Sequence, residues 1–138
     1  MKKTYRWGKQ FQVRIGTYRL GDVNVELYAQ DKDEAEFHFV PDNKSLPRIK
    51  IGFGYDQWWR VLEGLLHESC EFLACQKGVR FEQSGRLSTG YEGLRFFYDH
   101  DTFTEIKAAQ AYFLDDATPP LYAAWKSFKS WEKQRHNV

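Results

Sequence analysis

The chain has 138 residues, 42% hydrophobic and 17% aromatic, with 20 Lys and Arg against 19 Asp and Glu for a net charge of +1. That size and apolar content suit one compact domain over residues 1–138 with a single core. The near-zero balance removes any global field toward nucleic acid or an anionic membrane, and no apolar run approaches the roughly 18 residues that span a bilayer. The start, MKKTYRWGKQF, has two lysines with no apolar segment after them, so it does not read as a signal peptide and a cytoplasmic location is expected.

The first third reads as strands. FQVRIGTYRL and DVNVELYAQ are joined at Gly21-Asp22, a hairpin turn signal, and in the second of them Val23, Val25, Leu27 and Ala29 alternate with polar neighbours. Glu36–Val40 and Arg48–Phe53 supply two more strands, and the expected arrangement is an antiparallel meander. His38 falls on the face opposite Phe37 and Phe39, where a surface or cross-strand role is the simplest reading.

Asp56–Gln76, DQWWRVLEGLLHESCEFLACQ, is the longest helical pattern. Asp56 is placed as its N-cap and Gly78 as its C′ glycine. Trp58, Val61, Leu62, Leu65, Leu66, Phe72 and Leu73 share one broad apolar arc. The other arc mixes charges with Gly64, Ala74 and Cys75, small residues that would let another segment or a ligand approach closely. Cys70 and Cys75 point about 140° apart on such a helix, so a mutual disulfide is not expected.

VRFEQ and LRFFYDH read as a further hairpin around a long connection, Ser84–Gly93, placed as a rim or lid. Thr102-Phe103-Thr104-Glu105 has the form of a capping box opening a helix to Leu114. Asp115–Pro120 is the expected break, and a last helix starts at Pro119 or Pro120 with Leu121, Tyr122, Trp125, Phe128 and Trp131 on its apolar stripe. The fold class is therefore α+β: an N-terminal antiparallel β-meander, a long central helix, a β-hairpin and two C-terminal helices.

The chemistry concentrates in His67-Glu68-Ser69-Cys70-Glu71. His67 and Glu71 are four residues apart, which on a helix brings their Cβ atoms to about 6 Å and lets them share one ion. Glu68 is turned to the side of that pair, where it can hold a water as general base, as the Glu of a His-Glu-x-x-His helix does. The plain alternative is a solvated stripe. A zinc site with an open position needs a third protein ligand, and His100, at a strand-to-helix junction between Asp99 and Asp101, is the candidate beside its reading as a loop histidine paired with an acid.

LLHESCEFLA, FYDHDTFTE and PPLYAAWKSF together resemble a group of small bacteriophage-encoded zincin-like proteins that pair a His-Glu-x-x-Glu helix with a downstream His segment and a Pro-x-Leu-x-x-Ala-Trp helix. The resemblance implies a minimal zincin-like fold, His67, Glu71 and His100 as metal ligands, and Glu68 as the catalytic base. Glu71 stands where a standard zincin has its second His. The first functional expectation is a zinc-dependent metallohydrolase acting on a peptide or amide, with Mn2+ or Fe2+ also compatible with the ligands. The second is a non-enzymatic accessory protein that binds and inhibits a host or defence protein, with the metal structural or absent. A nucleic-acid role through Lys126, Lys129, Lys133 and Arg135 is disfavoured by the neutral balance.

Overall fold

The computed structural model describes residues 3–38, 45–78, 80–82, 94–96 and 99–136. The fold is α+β, with strands β1 (Gln12–Leu20), β2 (Val23–Gln30), β3 (Glu36–His38) and β4 (Arg48–Gly52) followed by helix α1 (Trp58–Gln76). A short pair, β5 (Arg80–Glu82) and β6 (Leu94–Phe96), leads to a single long helix α2 (His100–His136). The Ser84–Gly93 connection lies outside the described residues.

The four-stranded sheet has the order β1-β2-β4-β3 and is mixed, not a meander. β1 and β2 form the expected hairpin, with Gly21 at φ +64 in the turn, but β2 runs parallel to β4, and β3 pairs antiparallel with β4 at the outer edge. The reason lies in apolar content. Ile49 and Ile51 of β4 are 0% and 1% exposed and need neighbours on both sides, whereas β3 offers the core only Phe37 between the more exposed Glu36 and His38. Polar residues on a short strand suit an edge.

Alternation sends Val25, Leu27, Ala29, Ile49 and Ile51 to one face of the sheet, and both helices cover that face: α2 packs on β1, α1 on β4 and β3, and the helices on each other. A bulge between Arg14 and Gly16 inserts Ile15 into the core without reversing the rest of β1. Trp7 closes one end of the core against Phe11, Phe53 and Phe128, its indole N–H donating to Ser127 Oγ at 3.1 Å.

α2 runs through Pro119 and Pro120, where two separate helices were expected. Neither proline can donate to the preceding turn, and an interior proline costs about 3 kcal/mol. Burial offsets that cost: Phe113, Ala117, Leu121, Ala124 and Phe128, at most 3% exposed, form one continuous stripe across the prolines. The helix also begins earlier than the capping box implies. Asp99 Oδ1 accepts the Thr102 N–H at 2.8 Å and holds its own carboxyl below the usual aspartate range by that bond, while Glu105 instead pairs with Lys77 at 3.3 Å. Asp56 likewise does not cap α1. Gln57 occupies the cap without a side-chain bond, and Asp56 meets Lys129 at 3.3 Å.

Candidate functional site

α1 is held from three sides. Its apolar arc puts Val61, Leu65, Phe72 and Leu73 in the core, each 0% exposed. Gln110 of α2 donates to the Leu66 carbonyl at 2.9 Å and to Ser69 Oγ at 3.0 Å, tying the helices together. At Gly64 an added Cβ would sit 3.2 Å from Ala35 Cβ and 3.9 Å from Ile51, so the absence of a side chain lets the segment before β3 approach the helix. Gly78, at φ +71, ends the helix as expected, its N–H donating to the Cys75 carbonyl.

Beyond that close approach α1 and the sheet edge separate into a cleft of about 840 Å³. Its sheet side is made by Glu34–Phe37 and Ile51–Gly52, and its helix side by Arg60, Glu63, Gly64, His67, Glu68 and Glu71. Phe37 turns inward and meets Phe72 with ring centroids 5.9 Å apart. Glu36, by alternation, turns its carboxylate to the other face, 3.8 Å from His38. The cleft therefore carries the carboxylates of Glu34, Glu63, Glu68 and Glu71 against the cations of Arg60 and, when protonated, His67.

The expected His67–Glu71 pair forms, with Nε2 and Oε2 3.1 Å apart. The partners differ in exposure: the His67 side chain is 68% exposed and that of Glu71 10%. Glu68, beside them, is 7% exposed. A second recess of about 480 Å³, lined by Leu66, Cys70, Ala74 and Gln110, lies across the same ridge, and Glu63, His67 and Glu71 border both hollows. Burial, and after it the Glu71 charge, pushes the Cys70 thiol up, which favours the thiol over the thiolate. Both cysteines are free.

His100 does not join this group. It occupies the first turn of α2 with its side chain 90% exposed, and its Nδ1 lies 3.9 Å from Asp101. Among the described residues no set of three or more His, Cys, Asp or Glu side chains is arranged to hold a metal ion. His67 and Glu71 thus fit a divalent cation as two ligands, one short of the three that a catalytic zinc centre takes from its protein.

Arg60 falls on the polar arc of the helix as helical spacing implies, whereas the contributions of Glu34 and Tyr55 are not legible in the sequence. Tyr55 is anchored by its hydroxyl to the Asp33 carbonyl, and Arg60 lies 5.9 Å from the Tyr55 ring centroid and 4.9 Å from that of Trp59. Residues 33–34 carry no motif, and they reach this wall because the segment before β3 passes close to α1 at Gly64, a long-range contact. Comparison of the chain with known protein families, curated proteins and solved structures returns no match. Among the described residues no helix is long and apolar enough to cross a membrane.

Proposed function

We propose that the protein is a binding module whose cleft takes a cationic group from a partner polypeptide. The observation that carries this reading is the ridge of Glu63, His67 and Glu71, with an acidic cleft on one side and a recess bordered by Leu66, Cys70 and Ala74 on the other. Lys and Arg combine an apolar stem with a charged head, so a segment that alternates basic and apolar residues matches both hollows. Peptide-library selection tests the reading. Enrichment of Lys or Arg beside Leu, Ile or Phe, lost in Glu63→Gln/Glu71→Gln, is the expected result; acidic peptides, or selection unaffected by the double variant, would reject it.

The His67–Glu71 pair favours a second reading, in which the cation is a divalent metal, zinc first and Mn2+ or Fe2+ next. A bound zinc would supply an activated water, for which Glu68, next in sequence to His67, would be the base. The two ligands gathered among the described residues are what supports this reading. Elemental analysis separates the readings: about one zinc per chain, lost in His67→Ala, favours the metal, while a metal-free protein that still selects basic peptides favours the polypeptide.

A further inference from the structure

The face of the sheet turned away from the helices has its own chemistry. Strand register aligns Arg14, Tyr28, Lys50 and Glu36 in one row, Thr17, Glu26, Arg48 and His38 in the next, and Arg19 beside Asn24 in a third. Neighbouring strands lie about 4.8 Å apart, so the rows make a flat lattice of alternating side chains.

Charge on this lattice is unequal. Glu26 is taken up by Arg48 at 3.7 Å and by the Tyr28 hydroxyl at 2.9 Å, and Glu36 by His38. Arg14 instead donates to Thr17 Oγ1, Arg19 donates to the Gly21 carbonyl at 2.8 Å, and neither they nor Lys50 form an ion pair among the described residues. Lys3 adds a further cation at the bulge, its Nζ donating to the carbonyls of Ile15 and Arg14. Burial, and after it the neighbouring Arg14 charge, holds its ammonium below the usual lysine range. On this face four cations, Arg14, Arg19, Arg48 and Lys50, stand against two carboxylates, Glu26 and Glu36, both of which already have partners.

We infer that this face binds single-stranded nucleic acid, with Arg14, Arg19 and Lys50 meeting phosphates and Tyr28 offering its ring to a base. Charge complementarity gives the anion, and the aromatic selects among anions. Tyr28 stands between Arg14 and Lys50 with the Arg48 guanidinium 5.6 Å from its ring centroid, the mix of aromatic and cationic groups on an open sheet that suits unpaired bases. A duplex presents its base edges in grooves that a flat sheet does not enter. A lipid surface calls for protruding apolar side chains, and the three rows contain none besides Tyr28. This inference is independent of what the cleft binds.

The test is fluorescence anisotropy of the full chain with a labelled short oligouridine over about 50–200 mM salt. Expected is binding that weakens with salt, with a log–log slope of about −0.7 per phosphate contact that Lys50→Gln and Arg14→Gln each reduce by about that amount. Tyr28→Ala should weaken binding about fivefold or more and Tyr28→Phe should restore most of it, since stacking needs the ring and not the hydroxyl. Circular dichroism confirms that each variant is folded, and Lys107→Gln, at an exposed position of α2 away from this face, should bind as the parent does. No binding at low salt overturns the inference. So does equal competition by poly-glutamate, or equal binding to phosphatidylserine vesicles with Tyr28→Ala unchanged, since each reduces the face to unselective anion attraction.

Discussion

The cleft and the open sheet face share strands β3 and β4 and have opposite characters. In the cleft Glu68 and Glu71 are almost fully buried, so a charge there is poorly screened and a cation is held by few groups at close range. On the open face Arg14 and Arg19 are exposed, and each charge is weak in water and counts only in number. The difference teaches that a one-residue change of position along a strand decides which partner a side chain can meet: Phe37 closes the cleft, while Glu36 and His38 on either side face the other way.

The strongest way to break the contrast is to remove what holds the cleft wall. Phe72→Ala should cost about 3–5 kcal/mol in urea unfolding, because Phe72 is fully buried and joins α1 to Phe37 of β3. Gly52→Ala is the next test. A Cβ there would stand 2.5 Å from the Lys32 and Glu34 carbonyls, so the segment carrying Glu34 must shift at about 1–3 kcal/mol. Cleft binding should fall while anion binding by the Arg14 row stays near the parent value, and equal losses at both sites would show that they are not independent.

Smaller effects sharpen the same picture. Below the ordinary aspartate range the cap at α2 should fail. The Asp99 carboxyl is depressed in the fold, so its contribution is present above the unfolded value and lost as pH falls through the folded one. The Tm gap between the parent and Asp99→Ala should accordingly close in acid, and a gap that is constant with pH would remove the cap's role. Finally, Cys70 should alkylate with iodoacetamide only at a pH above that needed for a free cysteine, and Glu71→Gln should bring that pH down, because burial and the Glu71 charge both favour the thiol.

The parts of this molecule legible in the sequence are those set by local pattern. The β1–β2 hairpin announces itself through Gly21-Asp22 and alternation, α1 through its apolar arc and Gly78, and the His67–Glu71 contact through helical spacing alone. Gly64 was readable as a point of close approach, though not its partner Ala35. What local pattern hides is set by distant neighbours. β3 and β4 look alike as strings, and only the demand of Ile49 and Ile51 for burial on both sides puts β4 inside. Pro119-Pro120 carries a strong stop signal, overridden by Leu121 and Ala124 finding the core. No pair of aromatic-basic strands resembling an RNA-binding sheet is visible in the sequence, because each of Arg14, Tyr28 and Lys50 comes from a different strand and their row exists only once the register is formed.

That register also sets how the chain must assemble. β4 is the last of the four strands in sequence, yet it occupies the slot between β2 and β3. The sheet cannot grow by adding strands in the order they are made, and until β4 arrives the inner edge of β2 has unsatisfied amides and carbonyls beside Leu27 and Ala29. Closing that slot requires a non-local parallel pairing, which is slow beside hairpin formation. In pulsed hydrogen exchange the amides between β1 and β2 should gain protection first and those between β2 and β4 later. The interval between them is when this chain is most open to pairing with another copy.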